Sequence, residues 1–324
     1  MQIKVGTFNL NNLFSRFNFA GAIDRPPSVS DGGITLTFDE NSVQVRTFMG
    51  RLVKEKDPED TVTIARRIVE ALDVDVLGVQ EVEHREILRQ FNRDYLGGAY
   101  DEIALIEGND PRLIDVGLLS RLPVGAITSY QTATHPAEPG KRVFGRDLVR
   151  IEILGPDHEP LLAVYNTHMK SHYVPFHMDP VAGAAEANER RRRQAEAIGA
   201  IIAATEGPDS RFVLLGDMND PPASPFLAPM LAFAGGTLVN GLTEAQETRP
   251  AKPETPGQGP GPASVNWTHR FNPPGPEFPQ YEQYDQIWLS PALAPHLAGA
   301  FIDRRTRHGG DGSDHDPAWV VLDL

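Results

Sequence analysis

Residues 212–220 read Phe212-Val213-Leu214-Leu215-Gly216-Asp217-Met218-Asn219-Asp220. The apolar run is continuous and too short for a helix, so it reads as a strand buried on both faces. It stops at a glycine followed by carboxylates and amides. In open α/β folds ligands lie beyond strand ends, so this terminus is a place to look for chemistry. The same plan recurs along the chain. Residues 3–10 alternate apolar and polar and run into Asn9, Asn11 and Asn12, and residues 74–79 form a run that is apolar apart from Asp75 and stops at Gln80-Glu81. A strand over 161–166 leads to Asn166-Thr167-His168. The last two strands, near 284–289 and 318–322, bring Asp285 and the segment Gly312-Ser313-Asp314-His315.

Between these strands, Ile64, Ile68, Val69 and Leu72 fall at helical spacing, residues 84–95 are again helix-like, and a long helix is predicted over 184–205 with the basic run Arg190 to Arg193 inside it. Further strands are expected at 102–106, 116–120 and 148–154. Interleaved hairpins and helices with no linker predict one layered α/β domain over residues 1–324 with a mixed sheet core. Two stretches interrupt it: an irregular, weakly periodic insertion at about 17–58 and a Pro/Gly-rich loop at about 244–280. The 29 glycines and 28 prolines are consistent with such loops. No repeat of fixed period suggests a solenoid or propeller.

Composition removes several classes of function. There is no cysteine, which excludes a disulfide scaffold, thiolate zinc, iron–sulfur ligation and a cysteine nucleophile. No apolar run approaches a membrane span, and residues 1–8 alternate like a strand instead of forming a signal peptide, so a cytoplasmic protein is expected. A monomer is favoured. The net charge of −14 requires any nucleic-acid role to rest on a local basic patch or a bridging cation.

The strand-end inventory describes one kind of cleft. Glu81, Asp217, Asp314 and the asparagines, without cysteine, form an oxygen-rich set suited to a hard cation, Mg²⁺ or Mn²⁺, and not to zinc. Two histidines add acid–base capacity near neutral pH. Together these parts suit phosphoester hydrolysis by an activated water. The bland reading of each terminus taken alone is a turn or helix cap.

In order, Thr7-Phe8-Asn9-Leu10-Asn11, Val79-Gln80-Glu81, Asn166-Thr167-His168, Leu215-Gly216-Asp217-Met218-Asn219, Tyr284-Asp285-Gln286-Ile287 and Gly312-Ser313-Asp314-His315 resemble the motifs of the endonuclease/exonuclease/phosphatase superfamily. That superfamily includes deoxyribonucleases, abasic-site endonucleases, inositol polyphosphate phosphatases and neutral sphingomyelinases. The resemblance implies a four-layer α/β sandwich with two central, mostly antiparallel β-sheets flanked by helices. It also implies roles. Glu81 is the principal metal carboxylate, with Asp314 and Asn11 contributing to the Mg²⁺ or Mn²⁺ site. Asn9 orients the phosphate or Glu81, Asp217 orients or deprotonates the attacking water, and Asn219 binds the phosphate. His315 contacts the phosphoryl oxygen or moves a proton, with Asp285 fixing its tautomer. His168 matches the histidine of the deoxyribonuclease-like and sphingomyelinase-like branches.

Lys170, two residues beyond His168, would share its face of the strand and meet a phosphate. Arg191, three residues before Gln194-Ala195, matches an arginine of bacterial relatives and is the second phosphate-binding candidate. Trp267-Thr268-His269 offers an aromatic wall, or else a structural clamp. The leading expectation is a divalent-metal-dependent nuclease or phosphodiesterase acting on a phosphoester, DNA or RNA. The alternative is a phosphatase or phosphodiesterase of a small phosphoester or phospholipid headgroup, which the acidic balance fits. A non-catalytic binding module of the same fold is disfavoured, because every main catalytic position holds a competent side chain.

Overall fold

Burial of these apolar runs produces two sheets packed face to face in the computed structural model, which describes residues 1–21, 50–175, 177–248, 266–271, 280–304 and 312–324. The seven-stranded sheet runs in the order Gln246–Glu247, Leu297–Ile302, Ala318–Asp323, Gln2–Leu13, Val76–Val82, Asp115–Ser120, Glu102–Leu105. The six-stranded sheet runs Val239–Asn240, Asp285–Leu289, Phe212–Asp217, Pro160–His168, Leu148–Leu154, Val124–Ser129. The seven-stranded sheet has a short parallel pair at its edge, Gln246–Glu247 with Leu297–Ile302, and each sheet has one near its middle: Gln2–Leu13 with Val76–Val82, and Pro160–His168 with Phe212–Asp217. The flanking neighbours of the central pairs are antiparallel.

Parallel neighbours need a crossover, and helices supply both central ones. Helix α1 (Pro58–Arg66), capped by Asp57 with proline at its first turn, widens into a π-type turn over Arg67–Leu72. Helix α2 (Arg85–Tyr95) is capped by His84, whose Nδ1 accepts from the Ile87 amide. Helix α3 (Pro180–Thr205) is capped by Asp179 and crosses the second sheet. Three apolar cores separate the four layers. One lies between the sheets (Val5, Val116, Ile151, Val164, Leu215, Ile287), one under α1 and α2 (Phe8, Ile64, Leu77, Leu88, Phe91), and one under α3 (Tyr165, Ile198, Phe212, Leu214, Trp288). Each fully buried Leu, Val or Phe contributes roughly 1.5–3 kcal/mol relative to an exposed one. The expected α/β sandwich is therefore present. Among the described residues no helix is long and apolar enough to cross a membrane.

A polar bridge joins the sheets through the central core. Gln80 donates from Nε2 to Asn166 Oδ1 at 2.8 Å, and Asn166 Nδ2 reaches the carbonyls of Val79 at 3.1 Å and Gly117 at 2.7 Å. Both amides are buried, so each lost partner would leave an unsatisfied group costing about 1–3 kcal/mol. This bridge pins one sheet against the other one residue before Glu81 and two before His168.

Element boundaries differ from expectation where local chemistry intervenes. The strand expected to close at 166 continues through His168, because its register with Phe212–Asp217 runs to His168↔Asp217. The run at 74–79 becomes a strand only at Val76, since Asp73 sits in the left-handed region (φ 44°) to close the π-type turn. The ends of the 17–58 insertion form a hairpin, Phe17–Gly21 with Gly50–Lys54, while residues 22–49 lie outside the described residues. Of the 244–280 loop, Gln246–Glu247 joins the first sheet, and 249–265 and 272–279 lie outside them.

One buried carboxyl makes stability depend on pH. Burial raises Asp147 to about 6, although Ser129 and the amides of Leu148 and Tyr130 donate to it. A folded-state pKa above the unfolded value of 3.8 contributes stability fully present below that value and lost as pH rises through about 6. Asp147→Asn, which can keep these contacts, should therefore gain on the wild type in urea unfolding between about pH 4 and 7. A difference constant with pH would contradict this.

Candidate active site

The polar strand ends meet at one edge of the sandwich. Asn9 pairs in register with Gln80, immediately before Glu81, and Asp217 lies between His168 and Asp285. The ladder between the first two strands breaks after Asn9. Asn11, Asn12 and Glu81 take left-handed backbone angles (φ 47°, 60° and 62°), which turn their side chains out of the pleat toward the edge. Across the seam, Gly216 at φ +132° places Asp217, and a Cβ there would lie 1.9 Å from the Thr167 carbonyl oxygen.

Asp217 is the hub. Its Oδ2 accepts from Asn9 Nδ2 at 3.1 Å and lies 3.4 Å from His168 Nε2 and 3.8 Å from His315 Nε2, while its Oδ1 accepts the Asn219 amide at 2.9 Å. The two imidazoles are held in opposite states. Burial, with Arg146 next, pushes His168 down to about 3. Burial also works against a charged His315, but the carboxylates of Asp285 and Asp217 outweigh it and hold its pKa well above the usual imidazole value. The Asp285 contact is close, 2.7 Å from Oδ2 to His315 Nδ1. The buried Nδ1 of His168 and Oδ1 of Asp285 have no hydrogen-bond partner among the described residues.

Glu81 faces this hub, with Oε1 4.0 Å from His168 Nε2 and Oε2 accepting the Asn12 amide at 3.0 Å. Burial and then the Asp314 carboxylate push the Glu81 pKa up, and Asp217 adds to this. Glu81, Asp314 and the Asn11 amide are oxygen donors whose crowded negative charge a hard divalent cation would relieve, so the residues present fit such an ion. Their backbone is tied by a side chain that sequence reasoning missed. Lys56 is buried and donates from Nζ to the carbonyls of Leu10 at 3.2 Å, Asn11 at 2.8 Å and Gly312 at 2.7 Å. One ammonium thus joins the turn bearing Asn11 to the segment bearing Asp314.

His315 is also braced from behind. Arg67 bonds Asp303 at 2.9 Å and Asp316 at 3.1 Å, and Arg304 reaches Asp316 at 3.4 Å and Glu247 at 2.6 Å while lying over the Trp267 ring. Trp267 is thus a clamp, the second of the two readings of its segment. Burying this many charges is favourable only when each is paired, as here.

Two expected phosphate contacts need correction. Arg191 is 0 % exposed. Its nitrogens are taken by Asp220, His172, Asn188 and the Lys170 carbonyl, so the charge faces protein. The neighbouring Gln194 accepts the Lys170 amide at 2.9 Å. Arg191 and Gln194 therefore hold both backbone groups of the residue two places after His168. Lys170 itself lies past the end of its strand and does not share the His168 face. Its Nζ donates to the carbonyls of Ser171 at 2.7 Å and Tyr173 at 3.0 Å. Asn219 does reach the hub through its backbone, although its Nδ2 is engaged by the Met169 carbonyl at 3.2 Å. An exposed cation beside the cleft is Arg112, whose side chain is 58 % exposed and pairs with Asp110 at 3.1 Å, while Arg146 is buried against the same Asp110 at 3.0 Å and the Met169 carbonyl.

A model of the endonuclease/exonuclease/phosphatase family matches residues 6–315. Among solved structures, the chain is similar to an endonuclease/exonuclease/phosphatase from Bacteroides vulgatus at 14 % identity and TM-score 0.59, covering 100 % of this chain and 99 % of that one. It is also similar to sphingomyelinase C from Streptomyces griseocarneus, at 16 % identity, TM-score 0.55 and full coverage of both chains. An AP endonuclease from Archaeoglobus fulgidus matches at 16 % identity and TM-score 0.55, over 99 % of this chain and 100 % of that one. No curated protein matches significantly.

Proposed function

The chain belongs to the endonuclease/exonuclease/phosphatase family, a family of phosphoester hydrolases, and from that premise we propose that it is a divalent-cation-dependent phosphodiesterase acting on DNA or RNA. The observation that carries this reading is the Asp217 carboxylate, oriented by Asn9 and Asn219 and set within 3.4 and 3.8 Å of two imidazoles. Glu81, Asp314 and Asn11 would hold Mg²⁺ or Mn²⁺. That ion, when bound, supplies charge stabilisation for a phosphoryl oxygen.

The remaining chemistry belongs to side chains. Asp217 accepts a proton from the attacking water and orients it, assisted by neutral His168. His315, paired with Asp285, donates to a phosphoryl oxygen or to the leaving oxygen. Arg112, exposed beside the cleft, supplies positive charge for an anionic substrate. The net charge of −14 favours a second reading, a small phosphoester or a phospholipid headgroup, over tight nonspecific duplex binding. Hydrolysis of plasmid, single-stranded DNA, RNA, a synthetic phosphodiester and sphingomyelin vesicles, each with Mg²⁺, Mn²⁺ or chelator, tests both. Cation-dependent strand cleavage is expected. Cleavage of only the small ester or the lipid would replace the nucleic-acid reading, and inertness toward all of them would end both.

A further inference from the structure

His269 has no part in the hydrolysis described, yet it is held against the site with care. Its backbone forms an antiparallel bridge with His315, which sets the two side chains next to each other. Its ring stacks on Tyr284, with centroids 5.0 Å apart and planes at 19°, and sits 4.7 Å from the His315 ring. Its Nε2 lies 3.8 Å from Asp314 Oδ2, and His315 Nε2 lies 4.0 Å from Asp314 Oδ1. One donor atom from each of His269, Asp314 and His315 lies within 4.8 Å of the others.

The donor chemistry differs from that of Glu81 and Asn11. Two imidazoles and one carboxylate make a set for a borderline ion such as Zn²⁺, whereas Mg²⁺ prefers oxygen alone. The Asp285 carboxylate on His315 Nδ1 is the outer partner that a metal-ligating histidine usually has, since it directs Nε2 toward the metal and raises its basicity, and zinc binding displaces the Nε2 proton. Tyr284 fixes the second imidazole by stacking. We propose that His269, Asp314 and His315 form a Zn²⁺-class site, distinct from the hard-cation set and sharing Asp314 with it. Zinc bound there occupies the His315 nitrogen that faces Asp217, so it inhibits the enzyme. The inhibition rests on the role given to His315 above, but the binding does not.

Calorimetric titration of the full chain with Zn²⁺, in buffer saturated with Mg²⁺, tests the binding without any substrate. The wild type is expected to bind one zinc ion, and His269→Phe, which keeps the stack on Tyr284, to bind at least about 10–100-fold more weakly. His269→Gln provides a second variant should the first fold poorly. Unchanged affinity in both variants, or no zinc binding by the wild type, overturns the site. With a cleavable phosphodiester, zinc should inhibit the wild type at concentrations that leave His269→Phe active in Mg²⁺. Equal inhibition of the two would overturn the inhibitory role even if the site binds.

Discussion

Asp217→Ala is expected to leave a folded protein whose turnover in Mg²⁺ is lower by about 10²–10⁴-fold, the range for loss of a positioned general base. The side chain ends the central strand of the second sheet and is the acceptor on which Asn9, His168, His315 and the Asn219 amide converge. Its removal takes away both the base and the reference point for the two imidazoles. The apolar cores are untouched, and His315 keeps its bond to Asp285. The loss should therefore fall on kcat with the circular dichroism spectrum unchanged, while the freed Asn9 amide and Asn219 N–H lower stability by about 1–3 kcal/mol each. A kcat within a few-fold of the wild type would remove Asp217 from the mechanism. Asp217→Asn, with its similar shape, separates charge from packing and should be nearly as inactive.

Gly216→Ala should be the most destabilising small substitution near the site. A Cβ would stand 1.9 Å from the Thr167 carbonyl oxygen and 3.1 Å from Asn166 Oδ1, on a backbone at φ +132° that L side chains rarely adopt. Backbone strain of about 1–3 kcal/mol and overpacking of about 1–3 kcal/mol together predict a loss of roughly 2–6 kcal/mol. Urea unfolding should show a lower midpoint with an unchanged slope. Thr167 and Gly216 are partners across the parallel pair, so parting them also parts His168 from Asp217, and activity should fall with stability. A variant within about 1 kcal/mol of the wild type would mean that the two strands can separate locally at little cost, inside the usual error of such extrapolations.

How much of this was legible in the sequence depends on what each residue does. The run 212–216 was readable because a strand buried on both faces is apolar throughout, and 148–154 because its apolar residues alternate with Arg150 and Glu152. The edge strand Val124–Ser129 and the strand Leu297–Ile302, next to the edge of its sheet, were missed because they are partly exposed and follow no clean alternation. Glu81, His168, Asp217, Asp285 and His315 stood out because a polar group closing or opening a buried strand has few structural reasons to be there. Lys56 gave no signal, since its value lies in three backbone carbonyls from two distant segments. Arg191 misled for the opposite reason. Its place three residues before Gln194-Ala195 suggested a phosphate contact, whereas helix geometry turned that arginine inward to Asp220 and Lys170. His269 was visible as an aromatic residue, but its proximity to Asp314 depends on a bridge between segments that the sequence does not pair.

The pairing of Gln2–Leu13 with Ala318–Asp323 also has a kinetic consequence. Gln2 and Asp323 are 321 residues apart, yet they lie side by side, and the register continues to Thr7↔Ala318. Closing so long a loop yields no contact energy until it is complete, which raises contact order and slows folding. The same closure brings Ser313 to the Asn9 carbonyl, 2.7 Å away, and with it Asp314 and His315 to Glu81 and Asp217. The complete site therefore requires that this closure be made. A chain with only the second sheet formed carries His168 and Asp217 but has neither the Glu81 carboxylate nor the His315 imidazole opposite them, so no partly folded intermediate of this kind can hydrolyse anything.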